Sequence, residues 1–379
     1  MKRFLLAAFL TGFASDAVAG DRWLVYFGCY TNEKTGSKGI YVSRFDSAAG
    51  VLEEPALAVE TGSPSFLALH PNGKFLYAVG ELDVPGFTGG AVSAFAINRP
   101  DGTLRPVNQA DSTGKGPCHI SLDATGRMAM IANYGGGSVA SYQIKDDGSL
   151  AGPVSFIQHE GSSANPQRQK VPHAHSFNPS PDNRFGLACD LGLDKVLTYK
   201  TYPAAGRITA SSSVALPPGS GPRHFAFHPS GKFAFVNNEL TLTASTFSYA
   251  AGTGALTLVD TVSTLPAGVA DKSGFSTAET VAHPSGKVVY VSNRGHDTIA
   301  VFTCDPATGK LTLIQNAAAE GQVPRNFCLD PSGRWMIVAH QNSNSAALFK
   351  VDPDTGRLEY TGRKIQVGGA VCVRFLAVD

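Results

Sequence analysis

The feature that most constrains the fold is an internal repeat of about fifty residues, which runs through the whole chain. A turn of the type Pro-Ser-Gly-Lys, or a close variant of it, begins at Pro71, Pro229, Pro284 and Pro331. A second turn carries Gly-x-Leu, with Ile in place of Leu in one copy. Its glycines follow one another at intervals of 46 to 58 residues, at Gly50, Gly102, Gly148, Gly206, Gly254, Gly309 and Gly356. Glycine supplies the positive φ that such tight turns require.

Short runs of strand-forming residues lie between these turns. In one repeat they cover residues 66–69, 75–79 and 91–97, and similar runs recur in the other repeats. Four strands in a unit of about fifty residues are typical of a β-propeller blade. A β-sandwich or a solenoid is the alternative, but a solenoid would need a shorter and more regular period. We therefore predict an all-β propeller.

The two ends of the chain predict how the ring closes. Inner strands are expected to begin at Pro64, Pro117, Pro172, Pro222, Thr277, Pro324 and Val373. The last of these has no strands after it, and its missing partners lie at the start of the chain, at residues 23–30, 39–46 and 52–60. One blade built from both termini removes the open sheet edges. The sequence therefore predicts seven blades of four antiparallel strands, forming a single domain over residues 20–379.

The first residues have the pattern of a secretory signal. Lys2 and Arg3 precede an apolar run over residues 4–13, and the segment ends in Ala17-Val18-Ala19. The apolar run is shorter than the ~20 residues that a membrane-spanning helix needs. We expect residues 1–19 to be a signal peptide, the mature protein to be periplasmic or secreted, and no membrane association to remain after cleavage.

Charge and cysteine usage exclude several other classes of protein. The formal net charge is +1 and no basic run is present, which argues against a nucleic-acid partner. The six cysteines form no Cys-x-x-Cys pair, so a zinc site or a thioredoxin-type site has no support. A chain of this length does not need disulfide bonds to fold, and we expect buried single thiols.

One mouth of the predicted ring collects ionisable side chains. The start of each first strand and the end of each second strand meet at this mouth, because the two strands are antiparallel. The second position of the inner strands is predicted to hold Ser65, Cys118, His173, Arg223, Ala278, Arg325 and Arg374. The third position is predicted to hold Phe66, His119, Ala174, His224, Glu279, Asn326 and Phe375. The ends of the second strands supply Glu81, Asn133, Tyr134, Asp190, Glu239, Arg294 and His340. Such a concentration marks a candidate site.

The chemistry of these residue types favours acid–base work on an anionic or oxyanionic species. Arginine offers a planar fork of donors to an anionic substrate, a developing oxyanion or a carboxylate product. Glu239 or His175 could take a proton from water or from a hydroxyl group. We predict that the catalytic residues are His175, Arg223, Glu239 and Arg294. Substrate contacts are predicted for His173, Arg325, His119, Asn133, Tyr134 and His224.

Two other interpretations of these residues stay open. Polar side chains in a propeller channel often bind only ordered water. His173 and His175 share a strand face and could be two metal ligands. No aspartate or glutamate has a fixed short spacing to them, so we expect no metal and no cofactor.

Seven short stretches together resemble the seven-bladed propeller lactonases, which include bacterial 6-phosphogluconolactonase and the fungal carboxymuconate lactonizing enzyme. These stretches are residues 28–31, 133–139, 172–175, 221–224, 237–239, 292–295 and 324–327. The resemblance spans the chain from about residue 23 to residue 379. The residues proposed for the site of that family carry over to His175, Arg223, Glu239 and Arg294, and all four residue types are present.

The resemblance implies hydrolysis of a sugar δ-lactone to an aldonic acid, with no metal required. Because the signal peptide implies export, we favour D-glucono-1,5-lactone over its 6-phosphate, which is a cytoplasmic metabolite. The alternatives are a muconate-type cycloisomerase, a metal-dependent sugar lactonase and a non-catalytic binding scaffold. Scaffold propellers usually carry Trp-Asp or similar signatures, whereas neither Trp23 nor Trp335 precedes an aspartate.

Overall fold

The computed structural model describes residues 21–378, which form seven β-sheets arranged as the blades of a propeller. The predicted signal peptide lies outside the described residues. The first sheet contains β1 (Arg22–Cys29), β2 (Gly39–Asp46), β3 (Val51–Leu52), β4 (Ala56–Glu60) and β29 (Ala370–Ala377). The second contains β5 (Pro64–Leu69), β6 (Phe75–Gly80), β7 (Ala91–Ile97) and β8 (Leu104–Asp111). The third contains β9 (Pro117–Leu122), β10 (Met128–Asn133), β11 (Ser138–Ile144) and β12 (Leu150–Gln158).

The remaining sheets repeat the same order of four antiparallel strands. The fourth contains β13 (Ala174–Pro179), β14 (Phe185–Asp190), β15 (Lys195–Tyr202) and β16 (Arg207–Ala215). The fifth contains β17 (Pro222–Phe227), β18 (Phe233–Asn238), β19 (Thr243–Ala250) and β20 (Ala255–Ser263). The sixth contains β21 (Ser276–Ala282), β22 (Val288–Arg294), β23 (Thr298–Cys304) and β24 (Leu311–Ala318). The seventh contains β25 (Pro324–Leu329), β26 (Trp335–His340), β27 (Ser345–Val351) and β28 (Leu358–Gln366).

The ring closes through the first sheet, as the sequence predicts. Strand β29 pairs antiparallel with β1 from Trp23 opposite Ala377 to Cys29 opposite Ala370. The inner strands β29, β5, β9, β13, β17, β21 and β25 contact one another in this order around the channel. The predicted outer strand at 52–60 is interrupted, and β3 and β4 both pair with β2. Pro55 lies in the gap, where it has no N–H group to donate to a ladder.

The core lies between neighbouring blades. The second strands β10, β14 and β18 are buried at every residue because both of their faces are covered. The recurrent glycine turns dock on the preceding blade. Tyr77, for example, donates its hydroxyl to the carbonyl oxygen of Gly148 at 2.9 Å. Gly148 has φ +81°, and a Cβ atom there would lie 2.3 Å from the Phe75 ring, so both conformation and space require glycine.

The starts of three inner strands differ from the prediction, and β21 differs by one residue, since it begins at Ser276 rather than at Thr277. Strand β13 begins at Ala174 rather than at Pro172, and β29 begins at Ala370 rather than at Val373. Every inner strand has a bulge near its start, so the bulge does not distinguish these strands. The starts of β13 and β29 differ from the predicted ones by two and by three residues. The second positions of β13 and β29 are therefore held by His175 and Val371.

The six cysteines are free thiols, as expected; five are buried and Cys328 is partly exposed. Within residues 21–378, no helix is long and apolar enough to cross a membrane.

Candidate active site

The bulged second positions of the inner strands surround one mouth of the channel. With the observed register, the bulged positions hold Ser65, Cys118, His175, Arg223, Ala278, Arg325 and Val371, of which Ala278 is the third residue of its strand. A bulge breaks the alternation of the pleat and re-aims the side chain of the extra residue. The sequence repeat therefore brings residues from seven distant segments to one place.

The ends of the second strands divide into two groups. Glu81, Tyr134, Glu239 and Arg294 lie at or just beyond the last paired residue, and all four line the cavity at this mouth. In three of these four strands, the residue one position earlier is an asparagine that is buried within the blade, and Asn133 is one of them. Its side-chain amide donates to Ser112 O at 3.2 Å and to Ser138 Oγ at 3.1 Å. Asn133 does not line the cavity, so its predicted contact with substrate is not supported by its position. Asp190 and His340, which the prediction also placed at this mouth, are likewise fully buried within their blades.

The cavity at this mouth has the volume of a small polar ligand. The space open to the centre of a water-sized sphere is about 270 Å³. Its lining residues are Glu81, Gly116, Cys118, Tyr134, Gly135, Arg168, His175, Glu239, Arg294 and Arg325. Three of the four predicted catalytic residues are among them, and Arg223 lines a smaller chamber that shares residues with this cavity.

A carboxylate held by three arginines is the centre of the site. Glu239 Oε2 lies 3.0 Å from Arg223 Nε and 3.0 Å from Arg294 Nη2, and Glu239 Oε1 lies 2.7 Å from Arg168 Nη2. Burial raises the pKa of Glu239, but the three guanidinium groups more than offset it and lower the pKa to about 2. Glu239 is therefore an anion at neutral pH, and both of its oxygen atoms are occupied.

Arg223 is enclosed by the blades that flank it. Its side chain is 1% exposed, and its guanidinium also donates to the backbone carbonyl of Ala278. Burial, followed by the charges of Arg325 and Arg294, lowers the pKa of Arg223 to about 9, which still leaves it protonated at neutral pH. Arg223 is thus a fixed positive charge behind Glu239.

His175 lies where the cavity meets the smaller chamber and lines both. Its Nδ1 atom is 3.8 Å from the Cys118 sulfur, and its ring contacts Tyr134 and His224 at centroid distances of 5.2 and 5.3 Å. Burial, and then the charge of Arg223, hold the pKa of His175 well below its usual range. The ring is therefore neutral at neutral pH.

Arg168 is a site residue that the sequence reasoning missed. It lies in the loop between β12 and β13, which belongs to no repeat. Besides its contact with Glu239, its guanidinium donates to the Tyr134 hydroxyl at 3.1 Å. Its side chain is 41% exposed, so it closes the site from the solvent side. The only signal in the sequence was the unusual length of this connection just before the 172–175 motif.

A second arm of the site consists of Glu81 and Arg325, which were predicted at this mouth, and of Tyr30, which was not. Tyr30 donates its hydroxyl to the two carboxylate oxygens of Glu81 at 3.0 and 3.1 Å. The Arg325 guanidinium lies over the Tyr30 ring at 5.4 Å from its centroid. Glu81 and Arg325 both line the cavity, and both were in the predicted columns.

His173 lies beside the site rather than on the cavity wall. Its ring stacks on Tyr134 at a centroid distance of 4.5 Å, and its Nδ1 atom is 2.9 Å from the Tyr134 carbonyl oxygen. These contacts give His173 a positioning role for Tyr134. Because His173 is engaged with Tyr134, it does not form a pair of metal ligands with His175. The described residues contain no group of three or more His, Cys, Asp or Glu that could hold a metal ion.

A second layer of side chains lies further along the inner strands, at their third positions. Phe66 packs against His119 at 4.3 Å between ring centroids, and His119 packs against His224 at 5.6 Å. The Nδ1 atom of His224 lies 2.7 Å from Glu279 Oε1. His119 does not line the cavity, so its predicted contact with substrate is not supported by its position.

Arg374 lies deeper still and does not line the cavity. Its Nε atom donates to the Leu67 carbonyl oxygen at 2.9 Å, and its guanidinium is 4.6 Å from the centre of the Phe66 ring. The prediction that Arg374 holds a second position at the mouth is wrong, because β29 begins at Ala370 and its second position is Val371.

The fold and the cavity define a closed propeller whose site consists of arginines, imidazoles and carboxylates at one mouth of the channel. The family model described as "Lactonase, 7-bladed beta-propeller" matches residues 24–375. The chain therefore belongs to this lactonase family, as the resemblance in its motifs indicated.

Named relatives and solved structures agree with this membership. A 6-phosphogluconolactonase of Bacillus subtilis (strain 168) is 37% identical over 82% of this chain and 85% of its own length. The structure of a periplasmic gluconolactonase of Pseudomonas aeruginosa is 35% identical, with a TM-score of 0.87 over 94% of this chain and 100% of that one. The structure of a putative 6-phosphogluconolactonase of Bacteroides fragilis NCTC 9343 is 32% identical, with a TM-score of 0.86 over 96% and 100% of the two chains.

Proposed function

We propose that this protein hydrolyses a sugar δ-lactone to the corresponding aldonic acid. The observation that carries the proposal is the cluster in which three arginines hold Glu239 at the wall of a cavity of about 270 Å³. A δ-lactone is an uncharged ring whose carbonyl oxygen becomes negative when water attacks it. Its product is a carboxylate. Both species need hydrogen-bond donors with positive charge.

The charges of the site suit this change in the substrate. Four guanidinium groups, those of Arg168, Arg223, Arg294 and Arg325, face the carboxylates of Glu81 and Glu239. Two positive charges are therefore in excess. The Nε atom of Arg294 is buried and has no hydrogen-bond partner among the described residues, which leaves a donor for a substrate oxygen. Preorganised donors of this kind stabilise a developing oxyanion more than the neutral carbonyl.

Glu239 is better suited to hold the arginines than to act as a base. Its two oxygens already accept hydrogen bonds from Arg168 and Arg223 and form an ion pair with Arg294, and a pKa of about 2 makes it a weak proton acceptor at neutral pH. Removing a proton from water thus falls to an imidazole. His175 is one such group at the cavity wall.

We favour D-glucono-1,5-lactone as the substrate and the periplasm or the cell exterior as the location. The support is the signal-like segment at residues 1–19 together with the similarity to a neighbour described as a periplasmic gluconolactonase. The relatives named 6-phosphogluconolactonase support the phosphorylated lactone instead. The two substrates differ by a phosphate dianion, which the two excess positive charges of the site could also accommodate.

The experiment is a direct comparison of the two lactones with the purified protein over residues 20–379. Initial rates of acid release are measured at constant pH and corrected for spontaneous hydrolysis. We expect turnover of both lactones, with a higher kcat/KM for D-glucono-1,5-lactone. A higher kcat/KM for the phosphorylated lactone would overturn the substrate preference, and no turnover of either would overturn the lactonase proposal. Secretion of the full chain, with a mature N-terminus at Gly20, would support the location.

A further inference from the structure

A small chamber lies directly behind the main cavity, further into the channel. The space in it that is open to the centre of a water-sized sphere is about 10 Å³, which is the size that admits one water molecule. It shares four lining residues with the main cavity, namely Glu81, Cys118, His175 and Arg325. Its other lining residues are Ser65, Phe66, Arg223, His224 and Val371. The chamber and the proposed lactone site are therefore adjacent.

Two polar atoms of the chamber-lining residues have no partner in the protein. The Ser65 hydroxyl and the Nε2 atom of His224 are both buried, and neither has a hydrogen-bond partner among residues 21–378. Both residues are less than 5% exposed. An unpaired buried polar atom costs about 1–3 kcal/mol, whereas a water molecule in contact with several polar groups removes that cost. These atoms identify the chamber as a site for one ordered water.

A chain of hydrogen bonds determines which nitrogen of His224 carries the proton. The backbone N–H of Val373 can only donate, so the Asn326 side-chain oxygen accepts from it at 2.9 Å. The Asn326 amide nitrogen must then donate to Glu279 Oε2, to which it is hydrogen-bonded. Glu279 Oε1 accepts from the backbone N–H of Thr280 at 2.9 Å. Burial raises the pKa of Glu279, but the charge of Arg374 and the N–H group of Thr280 oppose this shift. Glu279 is thus surrounded by donors that favour the carboxylate form.

The neutral His224 ring therefore carries its proton on Nδ1. This atom lies 2.7 Å from Glu279 Oε1, and the carboxylate accepts its proton. The lone pair is then on Nε2, the buried nitrogen that has no hydrogen-bond partner within residues 21–378. Burial, and then the charges of Arg223 and Arg325, keep the pKa of His224 well below its usual range, so the neutral form predominates at neutral pH. A carboxylate that orients an imidazole in this way is a recurrent device in hydrolases.

We propose that the chamber holds the hydrolytic water and that His224, oriented by Glu279, is the general base that activates it. This inference rests on the proposed lactonase function. The water oxygen forms a bond to the lactone carbonyl carbon while one water proton passes to His224 Nε2. The tetrahedral intermediate collapses with cleavage of the ring C–O bond, and the ring oxygen leaves as a hydroxyl group that receives the proton from the imidazolium. The products are the aldonic acid and the neutral imidazole.

The geometry favours His224 over His175 for this role. The Nδ1 atom of His175 contacts the Cys118 sulfur, and no carboxylate lies within hydrogen-bond distance of its ring among the described residues. His175 instead lines both spaces and lies between them. It is placed to contact the lactone, while His224 is placed to contact the water.

The first test compares variants of the purified protein on D-glucono-1,5-lactone or, if it is the better substrate, its 6-phosphate. We expect H224Q to lower kcat about 100-fold or more with KM changed less than threefold, which is typical of the loss of a general base. E279Q should lower kcat by a smaller factor, because it removes the orienting group and keeps the base. H283Q, whose imidazole bonds a carbonyl of a turn outside the site, is the matched control and should keep the wild-type kcat.

The second test uses the wild-type protein alone, so that the inference can still be tested if H224Q fails to fold. A crystal structure of the wild-type protein at about 1.5 Å should show a water within 3.2 Å of His224 Nε2. A kcat for folded H224Q within twofold of wild type, or the lack of a water there, would overturn the assignment. Wild-type turnover with unaffected H224Q would refute this inference alone, whereas no wild-type turnover of any lactone would refute the proposed function.

Discussion

Replacing Glu239 by glutamine removes the negative charge that three arginines share, while it keeps the shape of the side chain. In wild type, the three N···O distances are 2.7 to 3.0 Å, and the Glu239 side chain is 5% exposed. In E239Q the guanidinium groups of Arg168, Arg223 and Arg294 would face one another without a counter-charge. Breaking a buried ion pair on one side is strongly destabilising, because it leaves charge uncompensated.

The pKa of Glu239 gives the size of this effect and its dependence on pH. A shift from 4.5 to about 2 corresponds to about 3 kcal/mol of unfolding free energy at pH 7. Because the pKa in the folded protein is the lower one, this stabilisation is present above pH 4.5 and is lost as the pH falls toward 2. At pH 3 the folded carboxylate remains mostly ionised and the unfolded one is mostly protonated, so about 1 kcal/mol remains.

The assay is urea denaturation of wild type and E239Q at pH 7 and pH 3. The difference in unfolding free energy should be about 3 kcal/mol at pH 7 and about 1 kcal/mol at pH 3. E60Q is the matched control, because Glu60 pairs with Lys38 at 3.7 Å on the surface, where both side chains are 68% exposed. Such a pair contributes about 0–1 kcal/mol. A difference for E239Q that is as small as that for E60Q, or one that grows at pH 3, would refute the reasoning.

Three further predictions follow from the loop, the turns and the thiols. R168A should lower kcat/KM for the lactone about tenfold or more in steady-state kinetics, because it removes a donor of the Glu239 cluster. K170A, on the same loop, is the control and should match wild type. Equal kcat/KM values for the two variants would contradict the role of the loop. G148A should lower the unfolding free energy by about 2 kcal/mol or more, because the residue has φ +81° and its Cβ would meet the Phe75 ring, whereas G252A, which has open space, should change it by less than about 0.5 kcal/mol. Thiol titration should detect six thiols in denaturant and slow reaction of no more than Cys328 in the native protein; fewer than six without reductant would reveal a disulfide.

The architecture could be predicted from the sequence because each repeat contains two independent signals, the glycine turns and the strand-forming runs. The glycine turns mark each blade through their backbone conformation, and the strand runs between them fix the number of strands per blade. The sequence predicted that the C-terminal strand pairs with strands from the start of the chain, and β29 pairs with β1 in the closed ring. The internal symmetry also placed Arg223, Glu239 and Arg294 at one mouth, since equivalent positions of every blade meet there.

The errors came from details that the repeat does not encode. The start of β29 was placed three residues too late, at Val373 instead of Ala370, which is why Arg374 was assigned to the mouth instead of Val371. The one-residue difference between Asn133 and Tyr134 separates a side chain inside a blade from one at the cavity wall. Arg168 lies in an irregular loop, and no repeated pattern indicates where such a loop folds.

The orienting role of Glu279 was also out of reach of the sequence. Its contact with His224 joins two strands 55 residues apart, and the direction of its hydrogen bonds depends on Asn326 from a third blade. Residue types alone give no information about which nitrogen of an imidazole carries the proton.

The most direct test of the central claim is the rate of lactone opening by wild type and by R294A, measured as acid release from D-glucono-1,5-lactone and from its 6-phosphate. Arg294 Nη2 lies 3.0 Å from Glu239 Oε2, and the buried Arg294 Nε has no hydrogen-bond partner among the described residues. R294A should therefore remove both the ion pair with Glu239 and the donor proposed for the developing oxyanion. We predict that wild type opens the lactone well above the spontaneous rate and that R294A lowers this rate about 100-fold or more. The control is R184A, because Arg184 is an exposed arginine on another blade. Wild-type turnover no faster than buffer, or an R294A rate equal to wild type, would contradict the assignment of lactone hydrolysis to this mouth of the channel.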